Sequence, residues 1–209
     1  MVARRLSAAK RTQIGKAAIG SRPLSGGPAL CKVNDIFSAE DWVATLVAAA
    51  GEPDIKNKLL QGYNAGGKTF KVHLDGYDQR DLLSGRGPDQ RREFFYWTDD
   101  GDLAGLRYDQ YKLVFMEQPA HGLEVWMQPL VPLRAPKLFN LRSDPFERGQ
   151  YESGDYVRWY VEHAFVFVPA QSIVGQHLVS FREFPPRQPP GSFNVQQAME
   201  KLRNPPSTN

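Results

Sequence analysis

Residues 93–116 read EFFYWTDDGDLAGLRYDQYKLVFM and divide into three strands joined by two tight turns. Glu93–Thr98 is dense in aromatics, which suit a pleated, half-buried surface. Asp99-Asp100-Gly101-Asp102 supplies turn chemistry, because Asp side chains bond nearby backbone and Gly accepts positive φ. Leu103–Tyr108 returns, Asp109-Gln110 makes the second connection, and Tyr111–Met116 runs out again. Hairpins of this kind build an antiparallel meander with one buried face. Leu123–Met127 and Lys137–Leu141 are expected to add further strands.

Downstream, Val157, Tyr160, Val161, Ala164, Phe165 and Val168 recur at helical spacing and predict one apolar stripe. Pro169 is expected to break or kink that helix. Val174, Leu178 and Phe181 continue a stripe in a second segment. Residues 185–190 read as a stiff proline-rich connector, and Asn194–Leu202 as a final short helix.

Upstream, Ser38-Ala39-Glu40-Asp41 has the spacing of a capping box. The helix it opens carries Trp42, Leu46 and Val47 on one face and stops at Gly51. Pro53 opens a second short helix through Leu60. Gly62–Lys68 is expected as a loop, Thr69–Leu74 as a strand and Asp81-Leu82-Leu83 as one helical turn. The fold class is therefore α+β, with a small antiparallel sheet of about four strands packed with C-terminal helices.

The chain has 209 residues, 41% of them hydrophobic, which suffices for one ordinary core and excludes disorder throughout. Its net charge of +3 hides an asymmetry. Residues 1–34 hold Arg4, Arg5, Lys10, Arg11, Lys16, Arg22 and Lys32 with no acid before Asp35, which leaves the remainder mildly acidic. That basic arm is expected to be largely disordered. Its composition suits an organelle transit peptide as well as sequence foreign to the domain, and foreign sequence is the preferred account. The arm lacks aromatics for stacking bases, which argues against nucleic acid as its partner. Cys31 is the sole cysteine, so an intrachain disulfide is excluded and the compartment stays open. No apolar run reads as long enough to span a bilayer.

Three segments in order resemble the C-terminal portion of the arylsulfatases, within the sulfatase family. The first runs from Asn34-Asp35-Ile36-Phe37-Ser38 to Ala50-Gly51-Glu52-Pro53 and is similar to the helix that ends the family's catalytic core. The second is His73-Leu74-Asp75-Gly76-Tyr77, similar to a leucine-aspartate-glycine turn, with Leu82-Leu83 and Gly85 after it. The third joins Phe94-Phe95-Tyr96, Leu106-Arg107-Tyr108, Tyr111–Val114 and Leu138-Phe139-Asn140-Leu141 with Asp144-Pro145 and Glu147, and is similar to the terminal sheet. Together they span about residues 34–148, and their order is more specific than any one motif. The resemblance implies the C-terminal subdomain of an alkaline-phosphatase-like α/β fold. It divides the chain into an arm at 1–34, a helical end of the catalytic domain at 35–62 and a subdomain at 63–204, with its sheet at 69–141 and helices at 152–202.

The resemblance also implies sulfuric-ester hydrolysis, in which a formylglycine made from Cys or Ser attacks sulfur and calcium neutralises the sulfate oxygens. The nucleophile motif is Cys/Ser-x-Pro-x-Arg. Cys31 is followed by Lys32-Val33-Asn34-Asp35, without Pro or Arg in register. Ser21-Arg22-Pro23-Leu24-Ser25 has Ser and Pro but Ser25 in place of Arg, and reads as a chance match. Asp99-Asp100-Gly101-Asp102 lacks the ligand spacing of a calcium loop. No catalytic, cofactor-binding or metal-ligating residue is therefore assigned, and calcium is expected only for the full-length family. Lys71, His73 and Asp75 would share one strand face. Lys71 and His73 are kept as substrate-rim candidates, since a Lys beside a His can hold a sulfate oxygen, although a solvated strand face is the commoner explanation. His121, His163 and His177 have no partners at metal spacing, and His163 and His177 are expected to be structural.

The leading expectation is a C-terminal fragment of an arylsulfatase-like enzyme, inactive alone, whose partner is an N-terminal sulfatase catalytic domain acting on aryl sulfate esters. One alternative is a docking subunit that completes a sulfatase in trans. Another is an interaction module that uses the basic arm.

Overall fold

The computed structural model of the protein describes residues 35–187, 191, 192, 199 and 203. The arm at 1–34, with Ser21 and Cys31, and the expected helix at 194–202 lie outside these residues, apart from Met199 within that helix. The order is α1 (Asp41–Ala49), α2 (Ile55–Gln61), β1 (Tyr63–Ala65), β2 (Lys68–Phe70), α3 (Arg80–Leu83), β3 (Glu93–Trp97), β4 (Leu103–Tyr108) and β5 (Tyr111–Glu117). A 3₁₀ turn at Gly122–Trp126, β6 (Val131–Asn140), α4 (Gly149–Glu152), α5 (Tyr156–Glu162), a second 3₁₀ turn at Ala164–Val166 and α6 (Phe167–Glu183) follow. The class is α+β: β3-β4-β5-β6 form one antiparallel sheet and β1-β2 a separate hairpin.

The register explains the core. Phe95 pairs with Leu106, Leu106 with Leu113, and Leu113 with Leu138, so one row of apolar side chains crosses the sheet. Leu106, Leu113 and Leu138 are fully buried against Val166 and Ala170, with Ile173, Val174 and Trp159 packed around them. Each such leucine contributes about 1.5–3 kcal/mol relative to exposure. On the other face Lys112 is also buried. Its ammonium lies 2.8 Å from Glu147 and over the Tyr96 ring, and burial pushes the Tyr96 phenol up to about 12.

Strand β6 is a sheet edge, and its free backbone groups need cover. Tyr156 provides it, since its hydroxyl donates to the Leu138 carbonyl at 3.0 Å and the Leu138 amide donates back at 3.4 Å. The Tyr160 hydroxyl donates to the Pro136 carbonyl at 2.9 Å. Pro132 and Pro136 have no N–H to leave unpaired.

Several elements depart from the sequence reading. Residues 62–68 are not a loop: Gly66 and Gly67, at φ 58° and 79°, make a two-residue turn that pairs Tyr63–Ala65 with Lys68–Phe70. The strand expected at Thr69–Leu74 ends at Phe70, because no neighbouring strand continues to pair with it. Leu123–Met127 is a 3₁₀ turn instead of a strand, and β6 begins at Val131 instead of Lys137. The helix breaks at His163–Val166, ahead of Pro169. Pro169 itself lies in the first turn of α6, where a missing N–H costs nothing.

Orientation differs too. Val157, Val161, Phe165 and Val168 face out, while Val166 and Ala170 turn inward. On α1 the buried side is Asp41, Ala44, Thr45 and Ala48, and Trp42 and Leu46 are exposed. The capping box is half made. The Ser38 amide donates to Asp41 Oδ2 at 2.8 Å, but no side chain caps the helix start. Ala164–Glu183 is, by length and composition, apolar enough to cross a membrane, which the sequence reading did not anticipate. Its inner side covers the sheet.

Candidate functional site

Asp41 and Arg91 form an ion pair whose side chains are 0% and 2% exposed. Two unpaired charges would not survive such burial, so every polar atom must find a partner. Arg91 Nε and Nη2 donate to Asp41, the shortest contact being 2.7 Å. Nη2 also reaches the Asp75 carbonyl at 3.0 Å. Nη1 reaches the Glu93 carbonyl at 3.1 Å and the Glu40 carboxylate at 2.7 Å. All five guanidinium N–H bonds are thereby placed. Asp41 takes two further amide hydrogens, from Ser38 and Tyr77, each at 2.8 Å. Burial opposes the Arg91 charge, but the Asp41 bonds and the neighbouring carboxylates outweigh it and raise its pKa.

This pair fastens the Asp75-Gly76-Tyr77 turn to the first turn of α1. Gly76 is required there, because a Cβ would overlap the Glu40 carbonyl oxygen and lie 3.2 Å from Asp41 Cα. The Tyr77 hydroxyl donates to Glu93 at 2.5 Å, and burial together with that bond raises its pKa.

The turn forms one wall of a cleft of about 380 Å³. Its polar lining includes Glu40, Lys56, His73, Asp75, Arg91 and Glu93, and its apolar side includes Phe95, Trp97 and Ile173. His177, from α6, stacks on Phe95 with ring centroids 3.8 Å apart. Burial lowers the His177 pKa, and Asp75 acts in the opposite direction. Burial also lowers Lys56, whose ammonium sits over the Tyr77 ring at 4.4 Å, and raises Glu40 despite Arg91.

His73 Nδ1 lies 3.1 Å from Asp75 Oδ1. A carboxylate there orients the imidazole ring through Nδ1. The expected trio does not share a strand face, since residues 71–79 belong to no strand. His73 and Asp75 enter the cleft, whereas Lys71 pairs with Glu183 at 2.9 Å in an adjoining hollow. His163 stacks on Trp159 and contacts its carbonyl at 2.8 Å, a packing role.

Sequence reasoning missed Glu40, Lys56, Arg91, Glu93 and His177 as cleft residues. His177 did leave a signal: with Ile173 and Phe181 it forms one row at four-residue spacing, aimed at the sheet. Among the described residues no three acidic, His or Cys side chains converge on a metal position. The Asp100 carboxylate is bonded to Ser192 at 2.5 and 2.7 Å.

No protein-family model matches the chain, and no curated protein matches it. Among solved structures, the crystal structure of the PsFucS1 sulfatase from Pseudoalteromonas sp. is similar at 25% identity, over 54% of this chain and 22% of that one. The TM-score is 0.37, too low to decide fold or chemistry.

Proposed function

We propose that residues 63–204 are the C-terminal subdomain of an arylsulfatase-like sulfuric-ester hydrolase and residues 35–62 the helical end of its catalytic domain, together a module that docks on the catalytic body and has no turnover alone. One observation carries this reading. The Asp75-Gly76-Tyr77 turn, a segment that resembles the family, is locked to α1 by Asp41–Arg91, and α1 turns Trp42, Val43 and Leu46 outward. An apolar helix flank beside a rigid charged junction suits a surface covered in an assembly. His73 is then the rim residue that approaches a sulfate ester, and Lys71 contributes from the outer edge. The body is supplied in the same polypeptide or in trans.

The test is turnover of a chromogenic aryl sulfate with calcium present, with mass spectrometry for formylglycine at Cys31 and Ser21. The chain alone should give no turnover and no modification. Co-expression with a sulfatase catalytic body encoded in the adjacent DNA should give turnover. Val43→Glu/Leu46→Glu should abolish co-purification with that body while changing the module's own stability by under about 0.5 kcal/mol, since both side chains are more than half exposed. Turnover by the pure chain, or co-purification that ignores the α1 substitutions, would overturn the proposal.

A further inference from the structure

Lys58, Lys112 and Lys137 are partly or wholly buried, and each sits against a carboxylate, of Glu52, Glu147 and Glu117 respectively. Lys56 does not. It is half-buried in the wall of the cleft, and its ammonium forms no ion pair and no hydrogen bond among the described residues. Its contact is the Tyr77 ring, 4.4 Å from Nζ to the centroid. Burial lowers its pKa although Asp75 and Glu93 pull the other way, so the cleft desolvates a cation without giving it an acceptor. The neighbouring carboxylates are half-used. Asp75 Oδ1 faces His73 and Glu93 Oε1 accepts from Tyr77, and the second oxygen of each bonds no group among the described residues.

An anion alone would answer Lys56 but would meet Glu40, Asp75 and Glu93 in the same cleft. A cation alone would use the carboxylates and be repelled by Lys56. A ligand that carries both charges on neighbouring atoms satisfies both sides. The rest of the lining defines its body. Phe95, Trp97 and Ile173 form the apolar side, and His177 covers the Phe95 face, so no bare Phe95 ring is left for a sugar to stack on. At about 380 Å³ the cleft has the size of a small-molecule pocket, for which roughly 300–1,000 Å³ is usual. We propose that it binds a free α-amino acid with an apolar or aromatic side chain. The ligand carboxylate accepts from Lys56, its ammonium donates to Asp75 and Glu93, and its side chain lies along Trp97 and Ile173. This chain makes the site by itself. Its test needs no catalytic body, so its failure and the failure of docking through α1 are separate results.

The experiment is an amide NMR titration of the whole chain, near neutral pH, with L-phenylalanine and its two halves. Hydrocinnamate lacks the ammonium and phenethylamine lacks the carboxylate. L-Phenylalanine should bind with a Kd below about 1 mM and shift the signals of Lys56, Asp75 and Trp97. Each half should bind at least about tenfold more weakly, because it leaves one side of the cleft unanswered. Lys56→Met keeps the stem beside Tyr77 and removes the charge. It should weaken L-phenylalanine at least about tenfold and leave phenethylamine within about twofold. Glu93→Gln keeps an acceptor for the Tyr77 hydroxyl. It should weaken L-phenylalanine and phenethylamine and spare hydrocinnamate. The same spectra check that the variants fold. No saturable shift up to about 20 mM, a half that binds as tightly as L-phenylalanine, or full affinity in Lys56→Met would overturn the proposal. So would methyl glucoside binding at these residues where L-phenylalanine does not, because the cleft would then be a polyol site.

Discussion

Where α6 crosses the sheet, Leu106, Leu113 and Leu138 meet Val166 and Ala170. Where α1 joins the rest of the protein, Asp41 meets Arg91, with backbone groups of Ser38, Asp75, Tyr77 and Glu93 around them. Both junctions are equally dry, but they tolerate error differently. The apolar one is non-directional and degrades gradually with lost volume. The ionic one is satisfied completely or leaves a charge stranded, so it specifies a geometry more than it adds stability. That is suited to holding a loop that carries His73 and Asp75.

The largest effect should come from stranding that charge. Asp41→Ala leaves the buried Arg91 facing only the half-exposed Glu40 carboxylate and should cost about 3–5 kcal/mol in urea unfolding. Asp41→Ala/Arg91→Ala should be no worse than the single substitution, and an additive loss would show that the junction is not a pair. Leu113→Ala should come next, at about 2–5 kcal/mol, through lost transfer energy and a cavity. Combined with Leu106→Ala, its immediate cross-strand neighbour, it should show no such relief. Relief there would erase the distinction between the two junctions.

What the sequence disclosed follows the same division. The meander from Glu93 to Glu117 was legible because Asp99–Asp102 and Asp109-Gln110 punctuate it locally. The hairpin at Tyr63–Phe70 was not, because Gly66-Gly67 reads equally as loose chain until both φ angles are known to be positive. Periodicity grouped Tyr160 with Val157, Val161, Ala164, Phe165 and Val168, yet Tyr160 turns to the sheet while the other five face out. Tyr156 and Tyr160 decide that, because their hydroxyls reach the β6 edge. Asp41 and Arg91 stand 50 positions apart, and no local pattern joins them.

A smaller test concerns that β6 edge. Tyr156→Phe removes the hydroxyl that serves both polar groups of Leu138 and should cost about 1–2 kcal/mol. Hydrogen exchange should localise the loss to Leu138. A loss spread evenly over the sheet would mean that the ring, not the hydroxyl, holds α5 in place.

The mildest effect should be a pH dependence at the cleft, where the two junctions meet. His177 belongs to α6 but faces Asp75 and His73 on the turn and Glu93 on β3, and its ring lies on Phe95. Burial holds its folded pKa below the ordinary 6.5. The unfolded chain therefore takes up this proton first as pH falls, and stability drops from about pH 6.5 downward until the folded state also protonates. Glu40 works in the opposite sense. Its pKa is raised above 4.5 by burial, so its contribution is complete below that value and is lost as pH rises through the folded pKa. His177→Gln should flatten the stability profile just below pH 6.5 and leave the acid limb near pH 4.5 unchanged, whereas Glu40→Gln should do the reverse. Thermal unfolding across this range separates the two. An unchanged slope in His177→Gln would mean that the imidazole is solvated in the folded protein, and that α6 closes the cleft less tightly than its contact with Phe95 requires.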